Sequence, residues 1–362
     1  MAVKGSVLIA GAGGLVGRAA IDHFLAEGEW DVIALSRTPP SPATGARHLG
    51  VDLTDAEACR AKLGGIRNLT HIVYAALFEK PDLTQGWLEA DQIATNLAML
   101  TNLMDAVEPG NPTLHHVSLL QGAKAYGVHL GQIPVPARER APRHIHPNFY
   151  WAQEDFLSAR QIGKAWTWTI FRPQVVFGFA QGSMMNMVAA VGSYAAISRH
   201  LGLPLVYPGI GNRVTEATDA RLLARAIAWA ARSPAAANQT FNVTNGDVFT
   251  WENLWPVIAR AFVMPIGLPQ PMPLARMMPG HAGTWAAIVA RYGLEQITLD
   301  RLVGSSWQFA DFAFSRTHST SSLLSTIKIR QAGFGDCIDT EASLSWWLGR
   351  MQTLNYLPPP EA

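Results

Sequence analysis

Charge and cysteine are scarce in this chain of 362 residues. Asp, Glu, Lys and Arg make up only 15% of it, against about a quarter in ordinary soluble domains. The formal net charge is +1, and no long run of one sign occurs. Nucleic acid and anionic membrane surfaces are thereby disfavoured as partners, because both call for clustered cations. The two cysteines, Cys59 and Cys337, lie far apart. They supply neither a disulfide framework nor a thiolate metal set, so a reducing cytoplasm is the expected compartment. No apolar run reaches transmembrane length, and the opening "MAVKGSVLIAGAGG" runs into a strand and a glycine turn rather than reading as a cleavable signal.

What remains is apolar. Hydrophobic residues form 49% of the chain, enough for a sizeable core and too many for a mainly disordered state. The length suits one large domain with a smaller one built onto it. A sparsely charged surface suits a deep apolar pocket or a subunit interface, so a homodimer is one arrangement open to it.

Short apolar runs alternate with helical patterns over the first 245 residues. "SVLIA" (6–10), "DVIALS" (31–36), "HIVYAA" (71–76), "LHHVSLL" (114–120), "WTWTIF" (166–171) and "TFNVT" (240–244) read as strands. A helix over 15–26 places Leu15, Ala19, Ala20 and Phe24 on one face. Strand and helix in repetition predict an α/β fold, a Rossmann-type doubly wound parallel sheet covered on both faces. The stretch 125–147, rich in Pro, Arg and His, reads as a long loop; 264–280, rich in Pro and Met, begins a helical C-terminal section; and the tail "LPPPEA" reads as frayed.

"VLIAGAGGLVGRAA" sets Gly11, Gly14 and Gly17 directly after the first strand, with Leu15 and Val16 opening the helix. A dinucleotide needs glycine there for a tight turn, for close approach of backbone to pyrophosphate, and for helix–strand packing. Free N–H groups at the helix start then bind the phosphates. An NAD site usually carries an acid at the end of the second strand. Here Ser36 and Arg37 stand instead. A guanidinium fork suits a 2′-phosphate, so NADP(H) is the expected cofactor. Asp52 and Leu53 follow in "GVDLTD", where Asp52 could accept from the adenine amine, and Ala75 lies near the end of the third strand run.

The second missing feature concerns catalysis. In "NFYWAQED" (148–155), Tyr150 begins a helix-like run, but the Tyr-x-x-x-Lys spacing of many nicotinamide reductases leads to Glu154. In the order of the chain, "VSLLQGAKAYG" (117–127), "NFYWAQEDFL" (148–157), "FRPQVVFGFAQGSMMNMV" (171–188), "YAAISRHLG" (194–202), "FNVTNGDVFTWENLWPVIARAF" (241–262) and "GFGDCIDTEASLSWWL" (333–348) together resemble the progesterone 5β-reductase / iridoid synthase family of extended short-chain dehydrogenases. The resemblance covers nearly the whole chain.

It implies NADPH-dependent 1,4-reduction of enones and enals, with hydride delivered to the β-carbon and the enolate oxygen stabilised by a Tyr near a Lys. It also implies a smaller, mostly helical C-terminal part that caps the substrate. On that basis residues 1–180, with 215–245, are expected to form the NADP-binding domain, and 181–214 with 246–362 the capping part. The family lysine of "GxKxY" falls on Lys124, which also suits the nicotinamide ribose, and Gly122 matches the family's replacement of serine. In extended short-chain enzymes a proline at the position of Pro173 helps seat the nicotinamide, with Val175 and Val176 beside it.

The family tyrosine is the second of "NFYY", and that position holds Trp151. Three readings follow. Tyr150 is the working phenol in a register shifted by one. Alternatively Tyr150 sits beside the site while Lys124, Trp151 or water stabilises the oxyanion. Or the chain binds NADPH without the chemistry. Tyr126, Met184, Met185 and Met187 are candidate substrate contacts, and Met272, Met277 and Met278 a candidate far wall, since methionine adapts to irregular apolar ligands. His144 and His146 lack further ligands, so no metal is expected. The substrate class is a small hydrophobic carbonyl compound. Carbonyl reduction and a non-catalytic NADP(H) sensor are the alternatives.

Overall fold

The computed structural model describes residues 5–211, 213–314 and 321–360. Seven parallel strands form the central sheet: β1 (Gly5–Ala10), β2 (Trp30–Ser36), β3 (Arg47–Gly50), β4 (His71–Tyr74), β5 (His116–Leu120), β6 (Thr167–Pro173) and, after three short outlying strands β7 (Val175–Phe177), β8 (Val214–Thr215) and β9 (Ala217–Asp219), β10 (Gln239–Val243). Their order is β10-β6-β5-β4-β1-β2-β3. The chain runs outward one way from β1 and the other way from β4, so the crevice above these two is the switch point at which such sheets bind ligands.

All six strands expected from sequence are present, with ends moved by up to two residues. The strand that sequence did not suggest, β3, is a partly exposed edge of composition RHLG. It carries no apolar run to read. It pairs with β2 from Ile33↔Arg47 to Ser36↔Gly50.

Helices cover both faces because both are apolar. On one face lie α1 (Leu15–Glu27) and, further along the chain, α7 (Ala220–Ala230), which bury Phe24, Leu222 and Ile227 against Ile9 and Phe241. On the other lie α2 (Ala56–Leu63), α4 (Ala90–Val107) and α5 (Phe149–Gln161); Leu63, Leu100, Leu103 and Leu157 pack on Leu8, Ile72 and Val117. The short α3 (Leu83–Gly86), ahead of α4, instead donates its Leu83 amide to the Gln308 side chain. The remaining helices, apart from one that packs beside β10, gather over the C-terminal ends of the strands. Among them α6 (Met187–His200), α8 (Trp251–Phe262), α9 (Leu274–Met277), α10 (Ala282–Tyr292), α11 (Leu299–Leu302), α12 (Ser306–Phe314), α13 (Ile327–Gln331) and α14 (Thr340–Thr353) complete the chain. All of these but α13 share one core rich in aromatic rings, with Tyr207, Trp255 and Phe314 in mutual edge contact.

The 264–280 stretch does open a helical section, since α9 forms within it. Two expectations change. Met278 is buried in the helical core and Met277 is exposed, so neither methionine walls a cavity. The tail is not frayed at its start: Leu357 is fully buried, and Arg199 donates to the Pro359 carbonyl at 3.0 Å. Apolar burial there outweighs the terminal position.

Two glycines are demanded by close approach. Gly11 has φ +85°, and a Cβ on it would stand 2.5 Å from the Ala75 backbone across the switch point. A Cβ on Gly17 would collide with the Gly11 carbonyl oxygen. Gly17→Ala must therefore lift α1 off the turn and is expected to cost about 1–3 kcal/mol of stability. Gly13, whose Cβ would meet nothing within 4 Å, serves as the control, with an expected change within about 0.5 kcal/mol. Urea midpoints of the two variants without cofactor check the pair.

Candidate active site

A cavity of about 930 Å³ opens at the switch point and extends under the helical cap. Its floor begins at the glycine turn. Gly14 caps α1 with no side-chain partner, and the first turn holds no acid. Helices α2 and α5, by contrast, are capped by the Asp55 and Asn148 side chains. Uncapped N–H groups in open space, beside Gly13 with room on its α-carbon, make a cradle that fits an anionic pyrophosphate.

Leu15, Val16, Leu53, Ala75, Pro173, Val175 and Val176 line the same cavity, as do Ser36, Arg37 and Asp52. The Ser36 hydroxyl donates to the Thr38 carbonyl at 2.7 Å, tightening the loop that presents Arg37. Arg37 is exposed. Asp52 accepts from the Thr54 amide at 2.9 Å and the Thr54 hydroxyl at 2.8 Å. Those bonds, the amide first, and the nearby Arg37 charge hold its carboxyl below the ordinary value. Gly17 packs beneath the turn and does not face the cavity.

The catalytic candidates meet deeper in. Lys124 lies in the turn after β5, Tyr150 in the first turn of α5. The Asn148 side chain joins the two: its carbonyl oxygen accepts from the Tyr150 amide at 2.9 Å, and its amide donates to the Lys124 carbonyl at 2.8 Å. The Lys124 ammonium stands 5.7 Å from the Tyr150 ring centroid and 4.4 Å from that of Trp87. The Tyr150 hydroxyl comes within 3.3 Å of where a Cβ on Gly122 would sit. A serine there would crowd the phenol, which gives the glycine a physical reason.

Sequence reasoning missed the partner that makes this possible. Glu79, with a side chain only 1% exposed, accepts from the Lys124 ammonium at 3.0 Å. The Trp87 indole N–H also donates to it at 3.2 Å, and the Gln92 amide at 2.5 Å. Burial pulls the Lys124 ammonium below its ordinary value, and the Glu79 charge opposes that pull. Burial first, then Glu79, pushes the Tyr150 phenol above its ordinary value. The one signal available was an isolated acid just beyond the end of β4, at the sheet edge where ligand groups collect.

Glu154 lies one turn along α5 from Tyr150, where a lysine would complete the usual spacing. It pairs instead with Arg172 at 2.9 Å and Arg143 at 3.5 Å. The position belongs to a structural ion network, and the ammonium arrives from the turn after β5.

Trp151 is not brought to the cavity. One residue along a helix turns the side chain by about 100°, and its ring rests 4.1 Å from that of His144, with the Arg143 guanidinium 5.5 Å away. Tyr126 is likewise committed elsewhere, donating to Asn242 at 2.5 Å under the Arg172 guanidinium. Met187 is fully buried in the core of the cap. Met184 and Met185 do line the cavity, with Trp87, Phe149, Trp251, Phe309 and Phe312. Among the described residues no group of three or more His, Cys, Asp or Glu is placed to hold a metal ion, and no helix is long and apolar enough to cross a membrane.

The build is that of a short-chain dehydrogenase/reductase, and the chain is an oxidoreductase of that class. The family model described as a PRISE-like Rossmann-fold domain matches residues 48–318, and the chain belongs to that family. It is 32% identical to an (S)-8-oxocitronellyl enol synthase from Antirrhinum majus, over 91% of this chain and 86% of that protein. It is also 32% identical to a 3-oxo-Delta(4,5)-steroid 5-beta-reductase from Arabidopsis thaliana, over 97% of this chain and 92% of that one. Among solved structures, a UDP-glucose 4-epimerase from Thermus thermophilus in complex with NAD shares the fold at a TM-score of 0.67 and 18% identity, covering 96% of this chain and 99% of that one.

Breaking a buried ion pair costs about 3–5 kcal/mol, so Glu79→Gln should lower stability strongly at neutral pH. Lys124→Met in the same protein should recover part of the loss, as a double-mutant cycle by urea unfolding will read. Without Glu79, nothing opposes the downward pull of burial on Lys124. The ammonium then loses its proton at lower pH, and the alkaline limb of a pH–kcat profile should move to lower pH.

Proposed function

We propose that this protein is an NADPH-dependent reductase of small hydrophobic activated alkenes, reducing enones or enals in 1,4 fashion. Residues 1–180 with 215–245 hold the cofactor, and 181–214 with 246–362 enclose the substrate. The observation that carries the reading is a phenol, Tyr150, beside a buried and paired ammonium, Lys124, at the inner end of a dinucleotide cradle. The names of the two plant relatives support it.

A reduced dinucleotide held by the glycine turn, Arg37 and Pro173 would supply hydride to the β-carbon of the alkene, leaving negative charge to collect on the carbonyl oxygen. The residues then act on that oxygen. Burial keeps Tyr150 protonated, so its O–H is a hydrogen-bond donor throughout the physiological range. A donor fixed in place before charge develops lowers the barrier more than one that must reorient. Lys124 has N–H groups for the nicotinamide ribose, and the Glu79 carboxylate favours its charged form against the pull of burial. Apolar walls from Phe149, Val175, Met184 and Met185 exclude water and strengthen both interactions. Arg37 takes the 2′-phosphate, and Asp52 is available to the adenine amine.

Trp151 has no part in this scheme, so Tyr150 is the working phenol. A nucleotide-sugar epimerase is disfavoured despite the shared fold, because the Tyr-x-x-x-Lys pair gives way to Glu154 and its arginines.

Arg37→Ala should weaken NADPH binding by at least about tenfold while changing NADH binding little, since a charge-assisted fork is lost only against the phosphate; equal losses would remove the NADP assignment. Tyr150→Phe should cut kcat by about 10²–10³ with cofactor affinity kept. Turnover with 4-deuterated NADPH and small enones, read by mass spectrometry, tests the reaction. Deuterium at the β-carbon of a saturated ketone supports 1,4-reduction. An allylic alcohol would make the protein a carbonyl reductase, and cofactor binding without product across a broad enone and enal panel would point to a sensor.

A further inference from the structure

The charges on the cavity wall do not balance. Among its lining residues, the acids are Asp52 and Glu79, and the cations are Arg37, Lys124, Arg213 and Arg301. Glu79 is spent on Lys124, Trp87 and Gln92. Asp52 is spent on Thr54, beside Arg37. Two guanidiniums remain, both on the wall formed by the cap.

Arg213 is the more telling. It immediately precedes β8 and is partly buried. Its hydrogen bond goes to the backbone carbonyl of Ala313, at the end of α12. No carboxylate is in contact with it among the described residues, and the segment 315–320 that follows α12 contains no acid in its sequence. Burial depresses its ionisation, and only the Tyr207 phenol acts against that. Partly burying a guanidinium without an anion is costly. Such an arrangement persists where a ligand supplies the missing charge. Arg301, exposed, is the second such cation of the same lining.

We propose that Arg213, assisted by Arg301, forms a subsite for a carboxylate on the substrate, so that the alkene reduced here carries an acid at the end remote from its carbonyl. The inference rests on the enone reductase reading and narrows its substrate class. The rest of the substrate would be apolar, because Trp251, Phe309 and Phe312 line the same cavity as the two cations and Tyr150. A guanidinium offers two parallel N–H donors to one carboxylate, which fixes the orientation of the chain as well as its position. The carbonyl would then meet Tyr150 from one direction only.

The test uses the dinucleotide-loaded protein and a series of enones bearing a terminal carboxylate two to eight methylenes away, each beside its methyl ester. The best acid should show a KM at least about tenfold below that of its ester, the range for a charge-assisted bond. Arg213→Gln should collapse that ratio towards one, and Arg213→Lys should restore part of it. Arg301→Gln should lower it by a smaller factor. An acid-to-ester ratio near one in the unaltered protein, for every chain length, would overturn the proposal. So would a loss of NADPH affinity in Arg213→Gln that matches the loss for the acid, because the arginine would then serve a cofactor phosphate. If neither acid nor ester is reduced, the reductase reading fails separately. The subsite is then judged by quenching of tryptophan fluorescence with a saturated keto acid against its ester, where equal affinities would refute it.

Discussion

The cost of burying one ammonium organises the site. Lys124 lies under aromatic rings where little water reaches it, and the Glu79 carboxylate offsets that loss of hydration. Glu79 itself needs further donors, which Trp87 and Gln92 supply. These residues belong to the chain from the end of β4 to the first turn of α4. The segment 77–92 is thus shaped around a charge from beyond another strand. Asn148 extends the same assembly to α5, and so to the phenol. Loops after β4 and β5 and the start of α5 form one unit because a single charge would otherwise be stranded.

Much of the fold was legible because its signals are local. Six strands announced themselves as apolar runs between turn residues, and the glycine turn carried its own explanation in Gly11 and Gly17. β3 was not legible, since an edge strand with one partner needs no continuous apolar stretch. The residues expected around a dinucleotide were also readable as lining one cavity, as they follow strands in a fixed order. The catalytic group was harder. Position along α5 decides whether Tyr150 or Trp151 faces the cavity, and that depends on the helix phase set by Asn148. Tyr126 and Met187 looked equally suited to a ligand, but one is held by Asn242 and the other is sealed in the cap. Glu79 left only the faint signal of an isolated acid beyond β4, and Arg213 left none. Their significance lies in which charges they do and do not meet, and sequence does not state that.

The cap shares apolar contact with α1 and α7 at Ala19, Ala220 and Ala224, and buried polar side chains tie it further to the sheet. Gln174, just after β6, donates to the Ser322 carbonyl at 2.9 Å. Glu216 accepts from the Leu324 amide at 2.6 Å, and burial pushes its carboxyl up to about 7. Asp219 caps α7 and accepts from Ser343 and Trp347 of α14. Polar groups buried in this way fix one relative placement of the two parts, because any other leaves them unpaired.

The path of the chain has a consequence for how the molecule is made. After β6 the chain leaves the sheet, builds α6 of the cap and α7, and only then returns as β10 to pair with β6 from Gln239↔Thr169 to Val243↔Pro173. During synthesis the nucleotide cradle is therefore complete long before the sheet is. For the time the ribosome needs to add some seventy residues between paired positions, about 4–14 s at common elongation rates, β6 is an open edge with Phe171 uncovered. Dinucleotide captured early by the glycine turn would favour the half-made sheet by mass action, so the cofactor has a place in the birth of the protein as well as in its working life.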